Sequence, residues 1–137
     1  MPNPTSPDTA PASSGWRRKF RRFLLLVIVV GGLLFVLYTW AALTFVYASG
    51  ERAGYVQKFS RKGWICKTWE GELAMANLPG AMPEVFHFTV RDAAVADQIT
   101  QSMGQRVAIH YNQHRGLPTT CFGDTGYFVN SIQHVEQ

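Results

Sequence analysis

Residues 23–47 carry no charge, and this apolar run is the longest pattern in the chain. About 25 helical residues at roughly 1.5 Å each reach about 37 Å, more than the ~30 Å hydrocarbon core of a bilayer. The pattern predicts one transmembrane helix over 23–47. Its first half is aliphatic, from Leu24 to Val30, while Tyr38, Trp40 and Tyr47 gather toward its end, the place of an interfacial aromatic belt. Gly31 and Gly32 are adjacent and so lack the GxxxG spacing of a helix dimer.

Beyond 47 the period changes. Residues 52–59 and 64–69 read as strands separated by Ser60, Arg61, Lys62 and Gly63, a hairpin whose glycine takes a positive φ. Glu70-Gly71-Glu72 is expected to interrupt the second strand before it resumes at 73–76, because a glycine in strand-like sequence suggests a bulge or bend. Two prolines and a glycine make 77–83 a loop. At 85–90 strict alternation places Phe86, Phe88 and Val90 on one face. Asp92 is a good N-cap for a helix in which Val95, Ile99 and Met103 recur at helical spacing, and Gly104 ends it. A strand at 105–112, a polar loop at 113–126 and a last strand at 127–135 complete the series. Ser49 and Gly50 read as a short hinge.

The order β β β α β β is that of a five-stranded OB-like barrel with one helix between its third and fourth strands. The expected architecture is therefore a disordered, basic cytoplasmic tail at 1–22, a transmembrane helix at 23–47 and a small, mainly-β, OB-like domain at 48–137. The tail's first fifteen residues are rich in Pro, Ser, Thr and Ala, with too little apolar surface to offset the entropy of ordering.

Charge refines this picture. The net +4 resembles a nucleic-acid signal, but Arg17, Arg18, Lys19, Arg21 and Arg22 precede the apolar run against Asp8 alone. The eight basic residues after the run face eight acidic ones, so the domain is formally neutral. A basic cluster directly before the run predicts a cytoplasmic N-terminus and a domain on the far side of the membrane. A cleavable signal is the rival, with Val46 and Ala48 as small residues, but its apolar region would be only about 7 to 15 residues long. A retained signal-anchor is therefore expected. Cys66 and Cys121 both fall in the domain, where an oxidising compartment permits a bridge; two buried thiols are the alternative.

The stretch SGERAGYVQKFSRKG at 49–63, continued by KTWEGE at 67–72, resembles a family of short bacterial single-pass membrane proteins of unknown function. Gly123-Asp124-Thr125 followed by Tyr127-Phe128-Val129 fits the end of the same family. Members often carry the label 6-phosphogluconate dehydrogenase. A Rossmann site needs a strand, a GxGxxG turn and a helix in succession in a parallel sheet, and no such succession occurs in this sequence. The resemblance thus implies a bacterial envelope location, at the inner membrane, and no activity.

Three constellations could carry chemistry. Asp124-Thr125-Gly126 spells the tripeptide of aspartic proteases, but their mechanism needs two carboxylates sharing a proton, and Asp and Gly are also ordinary turn residues. His110 and His114 have metal-pair spacing only if both lie on one helix, and here they fall in a strand and a loop, with His87 and His134 elsewhere. Glu70 and Glu72 would point to one side of a strand, where salt bridges are commoner than acid–base catalysis. No metal, cofactor or catalytic residue is expected.

What remains is the stretch 58–69, in which Lys58, Arg61, Lys62 and Lys67 interleave with Phe59, Trp64 and Trp69. Aromatic platforms with cations can stack bases or sugars, and beside a bilayer the same chemistry suits lipid headgroups. The expectation is a non-enzymatic, membrane-anchored accessory domain that uses Lys62, Trp64, Lys67, Trp69 and Glu70 to bind lipid headgroups or a membrane or periplasmic protein, with nucleic acid excluded by compartment. An envelope hydrolase using Asp124 or a histidine-bound metal is the alternative.

Overall fold

The computed structural model describes residues 1–2, 14–75 and 79–136. The chain divides into two compact units, Met1–Tyr38 and Thr39–Gln137. Helix α1 runs Ser14–Thr44, and among the described residues it is the one helix long and apolar enough to cross a membrane. It starts well before the apolar run, so Arg17 to Arg22 are helical and not part of a disordered tail; residues 3–13 of that expected tail lie outside the described residues. The physical reason is propagation. Arg and Lys are good helix formers, no Gly or Pro stands between Trp16 and Phe23, and extending an existing helix costs far less than nucleating one.

The helix closes with Thr44 Oγ1 donating to the Trp40 carbonyl at 2.8 Å and Phe45 N–H to that of Ala41 at 2.8 Å. Tyr47 N–H then donates to Gln113 O at 2.8 Å, and strand β1, Ala48–Lys62, starts at once. The expected hinge at Ser49 and Gly50 is absent: both are paired in the ladder, opposite Asn112 and Tyr111. Unpaired backbone at an edge is costly, and β4 offers partners.

The remaining elements are β2 Thr68–Met75, β3 Val85–Val90, α2 Ala93–Gln101, β4 Arg106–Gln113 and β5 Tyr127–His134. The strands close into a barrel in the order β1-β2-β3-β5-β4. The long β1 serves both sides: residues from Ala48 pair with β4 and those from Gly54 pair with β2, with a register shift between Val56 and Lys58. The two ladders overlap at Gly54, whose Cα lies so near the Ala74 carbonyl that no side chain would fit. The closing seam is thin, since β3 and β5 run parallel and pair only at Thr89 with Phe128 and Val90 with Val129. This is the OB-type five-stranded barrel with a helix between β3 and β4.

β2 corrects the expected break at Glu70-Gly71-Glu72. The strand passes through Gly71, which pairs with Phe59 on one side and Phe88 on the other, and the Phe88 ring fills the space its missing side chain leaves. Glycine here makes room for a core aromatic, not a bend. Residues 64–67, expected in a strand, belong to the β1–β2 loop. Phe86, Phe88 and Val90 face inward as their alternation predicts, packed with Val56, Leu73, Val107, Ile109 and Val129. Asp92 caps α2 by accepting from Ala94 N–H at 2.8 Å, and Val95, Ala96 and Ile99 turn into the core.

Candidate binding face

Small barrels of this type offer a ligand surface on the outside of β2 and β3, flanked by the β1–β2 and β4–β5 loops. In this chain those loops are residues 63–67 and 114–126, and the Cys66–Cys121 disulfide joins them covalently. Gly63, with φ +132°, lets the first loop turn against the Cys66 carbonyl.

The β4–β5 loop is pinned to the barrel by a buried carboxylate. Glu70, 6 % exposed, accepts from the Thr68 hydroxyl at 2.7 Å, the Thr89 hydroxyl at 2.7 Å and the Asp124 backbone N–H at 3.0 Å. Thr125 adds a 2.9 Å side-chain bond to Thr89, and Gly123 comes so close to Thr89 that a Cβ would meet its hydroxyl. A buried carboxylate without such donors would be expensive, so the loop and Glu70 stabilise each other.

Beside this pin lies a polar cleft of about 180 Å³, lined by Lys58, Ser60, Lys62, Glu72, His87 and Thr125 among others. Lys62 Nζ meets Asp124 Oδ2 at 3.0 Å, and the neighbouring carboxylate holds its ammonium charged to higher pH than usual. Lys58 Nζ lies 3.5 Å from Glu72 Oε1, which also stands 3.9 Å from His87 Nδ1. These pairs are exposed enough to exchange partners at little cost. A larger depression, about 490 Å³, runs under the β1–β2 loop between Lys62, Trp64, Ile65, Thr120 and the disulfide.

The five residues expected at a contact surface separate. Lys62 lines the cleft, Lys67 is exposed, and Trp64 and Ile65 stand almost fully in solvent, at 101 % and 97 %. Trp69 is half-buried: its ring stacks on Phe59 at 5.5 Å and 5°, with the Arg61 guanidinium 5.5 Å from its centroid. It closes the core. Glu70 also lines the cleft, but it is buried and its carboxylate accepts from Thr68, Thr89 and the Asp124 N–H, so its role in the structure is that of a loop pin. Lys58 and His87 were missed as cleft residues; their convergence on Glu72 depends on the β1–β2 register, which shifts at the bulge.

The other constellations disperse. Asp124 is held by Lys62 and Thr125 by Thr89, so the protease-like tripeptide is part of the pinned loop. His114 is buried against the Phe128 ring, with Nδ1 3.2 Å from the Ala42 carbonyl near the end of α1. Among the described residues no three His, Cys, Asp or Glu side chains converge as a metal site would require.

A family model covers residues 46–137, the barrel entire. The chain belongs to DUF8785, a domain of unknown function. No curated protein matches. Among solved structures, the DUF8785 barrel is similar to the mitochondrial single-stranded DNA-binding protein Rim1 from S. cerevisiae, with a TM-score of 0.51 and 9 % identity over 67 % of this chain and 97 % of that one. At that identity the likeness is one of fold. It nevertheless removes the exclusion of nucleic acid drawn from charge and compartment, since a barrel of this shape serves single-stranded DNA binding in that protein.

Proposed function

We propose that this DUF8785 protein is a membrane-anchored, non-enzymatic binding module that presents the charged face between its two stapled loops to a protein partner. The observation that carries the reading is the cleft itself, where Lys58, Lys62, Glu72, His87 and Asp124 form solvent-exposed pairs on a disulfide-closed frame. Exposed ion pairs of this kind give a surface of both signs, complementary to a polypeptide more than to a uniformly anionic strand.

In this reading α1 spans the inner membrane of a bacterium, with Arg17 to Arg22 cytoplasmic and the barrel outside. The basic residues preceding the apolar run support the orientation, the disulfide suits an oxidising compartment, and the family resemblance supports the bacterial setting. Asp124, engaged by Lys62, and the dispersed histidines support binding over hydrolysis.

The test is purification of the full chain from its own membranes in mild detergent beside a Lys58→Ala/His87→Ala variant. Both side chains are well exposed, at 65 % and 63 %, so the barrel stays intact. A stoichiometric protein that accompanies the wild type and is lost from the variant is the expected result. Equal recovery from both would defeat the assignment of the cleft, and specific retention of single-stranded oligonucleotide would replace the protein partner with nucleic acid.

A further inference from the structure

Trp64 and Ile65 are adjacent, large and apolar, and they are held in solvent instead of folded away. Both ends of the loop are constrained while its tip stands in solvent. Gly63 at its start has φ +132° and packs against the Cys66 carbonyl, and Cys66 at its end is bridged to Cys121. An exposed Trp-Ile pair at the tip of a constrained loop is adjoining apolar surface open to contact.

We propose that this tip docks on the bilayer that holds α1, with Trp64 and Ile65 entering the headgroup region of an anionic leaflet. The inference rests on the membrane-anchored reading and deepens it by assigning the tip to lipid and leaving the charged cleft to the partner.

Reach is the first argument. The His114 ring meets the Ala42 carbonyl in the last turns of α1, and Cys121 follows His114 by seven residues. Seven residues span at most about 25 Å. The bridge adds 4.9 Å between Cα atoms, so Cys66 lies within roughly 30 Å of His114 and Trp64, two residues away, within roughly 37 Å.

Composition is the second argument. The loop reads Lys62-Gly63-Trp64-Ile65-Cys66-Lys67, an apolar pair between two lysines. Tryptophan prefers the headgroup level, where its ring is half-solvated, and lysines add attraction to anionic lipid. Lys62 is shared with Asp124, so Lys67, exposed on the same loop, supplies the lipid contact. Trp40 already marks that level on α1. Tethering adds to this: an anchored barrel meets its own bilayer at a high effective concentration, so a weak tip contact suffices.

The experiment uses the full chain with Trp16→Phe, reconstituted in vesicles of phosphatidylcholine and phosphatidylglycerol with brominated acyl chains. Subtracting the spectrum of the same chain with Trp64→Ser isolates Trp64, and Trp40→Phe isolates Trp40. The expected result is quenching of Trp64 by brominated lipid, protection from iodide, and loss of both when phosphatidylglycerol is omitted. Trp64 open to iodide and unquenched, with Trp40 quenched, would overturn the tip alone. Trp64 protected from iodide without lipid quenching would mean that protein covers it, and would also overturn the proposal. An unquenched Trp40 would overturn the anchoring and the tip together.

Discussion

Replacing both Cys66 and Cys121 by serine removes a cross-link between residues 55 apart in sequence. In the chain-entropy model a closed loop of that size restrains the unfolded chain by about 4 kcal/mol. A barrel of roughly 90 residues has a total stability of about 5 to 13 kcal/mol, so the loss is a large share of it. It corresponds to a fall in Tm of roughly 20 °C. The native contacts of the β4–β5 loop do not depend on the bridge alone, since Glu70 still accepts from Thr68, Thr89 and Asp124. The variant should therefore fold to the same barrel and differ mainly in stability. The assay is urea unfolding in detergent micelles of the full chain carrying Trp16→Phe, Trp40→Phe and Trp64→Phe, where Trp69, stacked on Phe59, reports the core by fluorescence. The wild type treated with a thiol reductant should match the variant. A loss below about 1 kcal/mol, or a variant that never folds, would refute the division of labour between bridge and carboxylate.

Three further outcomes follow from named contacts. Glu70→Ala strands two hydroxyls and one backbone N–H and should cost roughly 2 to 4 kcal/mol, with the Asp124 and Thr125 amides losing hydrogen-exchange protection before the rest of the barrel. Gly71→Ala drives a methyl into the Phe88 ring and should cost roughly 1 to 3 kcal/mol in thermal unfolding, unlike an alanine at the open Gly104, where only the positive φ is strained. Lys62 titrates above its ordinary value because Asp124 faces it, so the pair's contribution is fully present below that value and fades as pH rises through the raised one; NMR titration should see the shift vanish in Asp124→Asn.

Long-range pairing separates what sequence reading reached from what it did not. The apolar run, the alternation of Phe86, Phe88 and Val90, and the Asp92 cap act over a few residues and were legible, and their order was enough to suggest the barrel. Ser49 and Gly50 looked like a hinge because nothing local announces that β4 will pair with them. Gly71 looked like a break because the ring filling its empty face comes from Phe88, a strand away. The two tryptophans of the aromatic-basic stretch could not be told apart, and only the fold buries Trp69 against Phe59 while leaving Trp64 outside. The pinning role of Glu70 was not legible because two of its three donors, Thr89 and the Asp124 N–H, lie 19 and 54 residues away.

Photo-crosslinking in intact membranes shows whether a barrel tethered at the membrane works through its charged face. A photoreactive residue replaces His87 in the cleft or, as a control, Asp97 on the exposed side of α2. The predicted result is a discrete protein adduct from position 87 that position 97 does not give. Adducts equal at both positions, none at either, or a nucleic-acid adduct from position 87 would contradict it.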